Sequence, residues 1–261
     1  MKITPIPALE SNYIWAIQSQ TQPQRCYLVD PGEAEPALNY LEQNALTLDG
    51  ILITHRHYDH VNGIDDIIRR YPCPVFGPKS SAIPQVTNTL TENEYFYLFE
   101  RRVNVLAAPG HTEEHIAFVV EGDEKTPPMA FVGDALFAGG CGNRLLEASI
   151  MYNSLQKIAA LSPNTLIYCG HEYTYNNLRF ALSVEPNNID LQARLESVKK
   201  LQDAKQVTIP SFLEVELLTN PYLRCTQHAL QELAKQDLSQ ESVTPVETFS
   251  CIRKRKDMWK P

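Results

Sequence analysis

Residues 54–63 read THRHYDHVNG and place His55, His57, Asp59 and His60 within six consecutive positions. The segment Ile51–Thr54 is a short apolar β-type run that leads straight into the first histidine. Alternate side chains of an extended segment share a face, so His55 and His57 project to one side and can meet one cation. Asp59 and His60 follow at a turn into a helix, where they can serve a second cation beside the first. Histidine occurs only seven times in 261 residues, and three of the seven fall in this one stretch. That density points to metal ligation rather than to a solvated polar loop.

Outward from this run, further ligand-type residues arrive in one recurring context. His111 follows the apolar run Val103–Ala107 through Pro109-Gly110, Asp134 follows Ala130–Val132 and Gly133, and His171 follows Leu166–Cys169 and Gly170. Each lies just past the end of a predicted strand, where α/β-type scaffolds gather their sites. Any one of them alone reads as a hydrogen-bonded loop residue; the shared placement makes them a set. Five histidines and two aspartates suit two borderline cations better than calcium or magnesium, which prefer all-oxygen shells.

Strand-like runs at 3–5, 14–18, 26–29, 51–54, 95–99, 103–107, 116–120, 130–132 and 166–169 alternate with helical stretches at 35–43, 64–71 and 152–161. After about residue 175 the texture turns helical, at 177–184, 191–204 and 227–236. The expected organisation is an α+β domain over 1–174 followed by a smaller helical domain over 175–261.

Composition bounds the function. Hydrophobic residues make up 43% and charged residues 21%, which excludes disorder. A formal charge of −8 argues against a general nucleic-acid binder. It is an average, however: residues 252–261 hold five basic side chains against one acidic, a local +4, and the remainder holds 18 against 30, or −12. A small anionic ligand therefore stays open. The start, MKITPIPALESNYIW, lacks the apolar run of a signal peptide, and no segment approaches the roughly 18 apolar residues of a membrane span, so a cytoplasmic location is expected. The six cysteines lie far apart with no C-x-x-C pair and read as free thiols, not as a zinc site.

The series THRHYDH, PGHTEEH, FVGD and CGHEYT, in that order, resembles the metallo-β-lactamase superfamily. IPALESNYIW near the start, VDPG at 29–32, AGGCG at 138–142, GHEYTYNNLRFA at 170–181 and RKRKD at 253–257 resemble the glyoxalase II (hydroxyacylglutathione hydrolase) family, and the matches span residues 4 to 257. The resemblance implies a metallo-β-lactamase-like αββα sandwich with a helical C-terminal domain. It assigns His55, His57 and His111 to one divalent metal and Asp59, His60 and His171 to the other, with Asp134 bridging both. Zinc is the first expectation for the metals, with iron or manganese as variants. The implied activity is hydrolysis of S-lactoylglutathione and related 2-hydroxyacyl thioesters to glutathione and a 2-hydroxy acid, the second step of methylglyoxal detoxification. Two close cations that share a water lower its pKa toward neutrality and yield a hydroxide nucleophile, which Asp59 or Asp134 can orient. A thiol of pKa ~8.5 leaves without a strong general acid. The chain has no G-x-S-x-G elbow for a serine mechanism. Tyr173 matches the tyrosine that contacts glutathione, Arg253 and Lys256 match a basic pair suited to its glycine carboxylate, and His115 reads as a support for the ligands. A monomer is expected.

The chain departs from that family in three places. In residues 143–148 a basic–aromatic pattern has become Asn-Arg-Leu-Leu-Glu-Ala, with Arg144 as the candidate replacement contact. Ser11 stands where an aspartate is usual. Glu114 stands where glycine is usual, and if that position requires φ > 0, strain and a local adjustment near His111 are expected. The competing readings are a superfamily hydrolase acting on a lactone, a phosphodiester or another thioester, an iron redox protein, and a non-enzymatic metal-binding module.

Overall fold

The computed structural model describes residues 1–143 and 146–260. Among these, the strands are β1 (Lys2–Ala8), β2 (Asn12–Gln18), β3 (Arg25–Val29), β4 (Thr47–Leu52), β5 (Val75–Pro78), β6 (Asn88–Leu90), β7 (Tyr95–Leu98), β8 (Arg101–Ala107), β9 (Ile116–Val120), β10 (Met129–Gly133), β11 (Leu136–Phe137), β12 (Gly140–Cys141), β13 (Leu166–Cys169) and β14 (Ser211–Phe212). The helices are α1 (Ala34–Gln43), α2 (Tyr58–Val61), α3 (Ile64–Arg70), α4 (Ala148–Ala159), α5 (Thr174–Val184), α6 (Ile189–Asp203), α7 (Leu213–Thr219), α8 (His228–Leu238) and α9 (Pro245–Met258). They fall into two compact units, one of residues 1–107 and 114–133, the other of residues 108–113 and 134–261.

The first unit is built on two sheets. One runs β1-β2-β3-β4-β5-β6, antiparallel from β1 to β3 and parallel from β3 to β6. The other is an antiparallel run of β7, β8, β9 and β10. Every residue of β2 is buried, as a strand covered on both faces requires. Ile14, Ala16, Leu28, Ile51 and Ile53 on one face of the first sheet pack with Ala37 and Leu41 of α1 and with Ile64 and Ile67 of α3. On the other face Phe76 of β5 stacks on Phe96 of β7, whose ring in turn meets the edge of Phe118 on β9. The loop that carries His55 and His57 leaves this sandwich at the carboxyl end of β4 and runs into α2, which carries Asp59 and His60.

The second unit carries the short hairpin β11–β12, the antiparallel pair β13–β14 and six helices among its described residues. Leu178 and Ala181 of α5 pack on Leu191 and Val198 of α6. α9 opens with a full capping box, Thr244 with Glu247, and Pro245 at its first turn.

The nine expected strand runs and six expected helical stretches all fall on observed elements, with ends moved by up to four residues. Residues 75–78 and 88–90 carry no alternation to read, yet they form β5 and β6. Their pairing energy comes from parallel neighbours distant in sequence, which no local pattern records. Residues 245–258 have no broad apolar stripe and still form α9, held by its cap and by the buried Phe249 and Ile252. The signal was present as Thr244-Pro245-Val246-Glu247, the capping-box spacing with a proline at the first helical position. No helix of the described residues is long and apolar enough to cross a membrane.

Candidate metal centre

The first unit presents its ligand-type residues on the loop between β4 and α2. Asp30 sits beyond β3 in a left-handed conformation, φ 50°, that turns its carboxylate onto this loop. Its Oδ1 accepts from the Thr54 amide at 2.8 Å, and its Oδ2 accepts from the Thr54 hydroxyl at 2.7 Å. Because that hydroxyl proton goes to Asp30, the Thr54 oxygen accepts from His55 Nδ1 at 3.0 Å. Asp30 Oδ2 also faces His60 Nδ1 at 3.0 Å. Both imidazoles are thereby assigned the Nδ1–H tautomer and turn an Nε2 lone pair the other way. His55 Nε2 lies 3.1 Å from His57 Nδ1, and His60 Nε2 lies 3.6 Å from Asp59 Oδ2. Asp59 is fixed in turn by Asn12, whose Nδ2 donates to its carboxylate at 3.0 Å. Asp30, His55 and His60 form a fully buried group with ligand atoms within 4.8 Å of one another.

The second unit carries the other three. His111 Nδ1 donates to the Asn143 carbonyl at 2.9 Å, which leaves its Nε2 lone pair toward Asp134. One carboxylate oxygen, Asp134 Oδ2, lies 3.6 Å from His111 Nε2 and 3.3 Å from His171 Nε2. Gly133, φ 48°, delivers the chain to Asp134. A Cβ there would stand 2.3 Å from Thr54 Oγ1 and 2.9 Å from His115 Nε2, so only glycine fits.

These spacings test whether a cation fits. Two ligands about 2.0–2.1 Å from one zinc at the tetrahedral angle stand about 3.3 Å apart. The pairs at 3.1, 3.3 and 3.6 Å have this separation, and each sets an imidazole nitrogen against a second imidazole nitrogen or a carboxylate oxygen. A cation placed between such a pair would be held by both atoms. The donor set fits divalent metal.

His115 is fully buried and stacks on His55 with ring centres 4.8 Å apart. Asp30 is the residue that motif reading left without a role. Its signal was its position at the end of an apolar strand before Pro-Gly, a context like that of the candidate ligands. The strain expected at Glu114 is absent: Glu114 is not among the described residues with positive φ, and its side chain is engaged with Arg56.

Of the candidate substrate contacts, Tyr173 is 40% exposed and stacks on the His171 ring at 4.7 Å. Arg253 is buried. Its guanidinium donates to Asp257 at 2.8 and 3.1 Å and to the Cys141 carbonyl at 3.3 Å. Lys256 Nζ lies 4.5 Å from the Trp259 ring centre and 5.1 Å from that of Phe180. Its burial, and then the charge of Arg253, lower its pKa to about 8. Arg144 lies outside the described residues. Burial pushes the Cys26 and Cys169 thiols up to about 12 and that of Cys141 up to about 11, which disfavours their thiolates.

Residues 9–171 match the metallo-beta-lactamase superfamily, and residues 172–259 match the hydroxyacylglutathione hydrolase C-terminus. A hydroxyacylglutathione hydrolase of Idiomarina loihiensis is 41% identical over 98% of this chain and 99% of its own length. One of Aliivibrio salmonicida is 43% identical over 98% of each. Among solved structures, the BLEG-1 B3 metallo-beta-lactamase has a TM-score of 0.59 at 18% identity, over 85% of this chain and 98% of its own, a likeness of fold. The chain has the metallo-β-lactamase fold with a helical C-terminal region, and it belongs to the hydroxyacylglutathione hydrolase family of that superfamily.

Proposed function

We propose that the chain hydrolyses the thioester of S-(2-hydroxyacyl)glutathione, S-lactoylglutathione among them, releasing glutathione and a 2-hydroxy acid. The observation that carries this reading is the pair of largely buried His/Asp sets whose spacings suit divalent cations, in a chain alike over its full length to hydroxyacylglutathione hydrolases. In this reading His55, His57 and His111 would hold one ion, Asp59, His60 and His171 would hold the other, and Asp134 would serve both. Asp134 Oδ2, flanked by histidines of both sets, supports the bridging role. When bound, two divalent ions, zinc in our proposal, supply Lewis acidity toward water and a carbonyl oxygen. Asp59, held by Asn12, and Asp134 orient the attacking water. The departing thiolate needs no strong general acid from the chain.

Tyr173, part-exposed and stacked on the His171 ring, offers its hydroxyl to the glutathione backbone. Lys256 offers an ammonium to its glycine carboxylate, and Arg253 anchors α9 to the Cys141 carbonyl and so places Lys256. The catalytic region is 1–174, the substrate-binding region 175–261, and the compartment the cytoplasm, with a monomer as the working unit. The test is hydrolysis of S-lactoylglutathione measured beside a lactone and a phosphodiester. The thioester is expected to be the preferred substrate by kcat/KM; preference for either of the others would overturn the reading.

A further inference from the structure

Three consecutive residues of the first unit grip three others in antiparallel register. Ile116 N–H donates to the Thr54 carbonyl at 3.0 Å, the His115 ring stacks on His55, and Glu114 holds Arg56. The Glu114 contact is double. Its Oε1 accepts from the Arg56 amide at 3.0 Å, and its Oε2 pairs with the Arg56 guanidinium. Both side chains are largely withdrawn from water, Glu114 being 11% exposed and Arg56 34%. Arg56 is the residue between His55 and His57, so the carboxylate fastens the backbone of the ligand pair at its midpoint.

Charge gives the contact a second consequence. Arg56 sets a fixed positive charge one residue from two proposed ligands of divalent cations, in a half-buried place where screening by salt is weak. Alone it would oppose metal binding. Glu114 cancels it while fixing the main chain.

We propose that Glu114, through Arg56, is a positioning residue that sets how tightly the His55–His57 segment retains metal. The proposal rests on the metal reading above. It makes the two partners opposite in sign. Removing Glu114 frees the backbone and uncovers the guanidinium, so metal affinity falls. Removing Arg56 leaves a carboxylate near the cations, so metal affinity holds or rises. A contact that served folding alone would move both variants in the same direction.

The experiment is competition for Zn(II) between the full chain and a chelating indicator, at fixed pH and low salt. It uses wild type, Glu114→Ala, Glu114→Gln, Arg56→Ala and the Glu114→Ala/Arg56→Ala double variant, with the melting temperature of each metal-free form as a check on folding. Glu114→Ala is expected to weaken zinc binding about tenfold, the scale for a residue that supports a ligand. Arg56→Ala is expected to leave affinity equal or higher, and the double variant to fall between them. If Glu114→Ala does not fold, Glu114→Gln carries the same comparison, since it keeps an acceptor for the Arg56 amide and loses only the charge. Equal affinities in wild type and both single variants, or losses of the same size in both, would overturn the proposal. A wild type that binds no zinc would overturn the metal reading itself, which is a separate and recognisable result.

Discussion

At the scale of single residues, what separates a ligand from a bystander is the far side of its ring. His55, His60 and His111 each have Nδ1 engaged, by Thr54, Asp30 and the Asn143 carbonyl, and each therefore turns Nε2 inward. The residue types were legible in THRHYDH, PGH, FVGD and GHE because metal chemistry admits few alternatives there. Asp30 was not legible as an orienting group, since its role depends on a backbone turn that brings it against residues 24 and 30 positions away. Lys256 shows how burial changes a residue that sequence reads only as basic. Its pKa, lowered to about 8 by desolvation and then by Arg253, means that the ammonium is half lost near pH 8 and goes progressively as pH rises through it. If this cation holds the substrate carboxylate, KM rises as pH climbs through about 8 while kcat stays level. Lys256→Arg, which stays charged, should remove that rise. A KM flat from pH 7 to 9 in the wild type would show that Lys256 does not meet the substrate's charge.

At the scale of elements, the hairpin β11–β12 cannot hold itself, being two residues a side, and its backbone is gripped by side chains of α5 and α7 and of the residue just after α7. Glu216 on α7 accepts from the Gly139 amide at 2.8 Å and from the Ser211 hydroxyl at 2.6 Å, and it pairs with Arg194 of α6. Asn220 donates to the Phe137 and Gly140 carbonyls at 3.2 and 2.9 Å, and Asn177 on α5 donates to the Ala138 carbonyl at 3.2 Å. None of this was readable in sequence, because AGGCG announces a tight turn and says nothing of what satisfies it. Burial works to raise the Glu216 carboxyl, but Arg194, Ser211 and the Gly139 amide outweigh it and hold it below its usual value of 4.5. A depressed carboxylate stabilises the fold above its unfolded pKa, and that stability is lost as pH falls through the folded value. Glu216→Ala should cost about 3–5 kcal/mol in denaturant unfolding near neutrality, the scale for an ion pair broken from one side. Glu216→Gln should lose part of the wild type's acid sensitivity below pH 4.5. The cap of α9 is a smaller case: Thr244→Ala should cost about 1 kcal/mol.

At the scale of the whole molecule, the fold class was legible because the proposed ligands punctuate it. Each apolar run ended in a chemically unusual residue, so strands and site were read together. What sequence could not give was the partition of the chain, since residues 108–113 leave the first unit and join the second while 114–133 return. No composition shift marks either crossing. The partition distributes the proposed ligands as His55, His57, Asp59 and His60 on one unit and His111, Asp134 and His171 on the other. If both sets hold the same pair of ions, metal stabilises more than a loop: it adds a linkage that every global unfolding event must break. An ion present at 100 times its dissociation constant adds about 2.7 kcal/mol, which for a chain of this size raises the melting temperature by several degrees. Calorimetry of the zinc-loaded chain should therefore show one transition, and stepwise chelation should lower it and broaden it or divide it in two. Ions held within one unit alone would leave the other unit's transition unmoved by chelation, and that pattern would reject the shared centre while leaving each half-set as a metal site of its own.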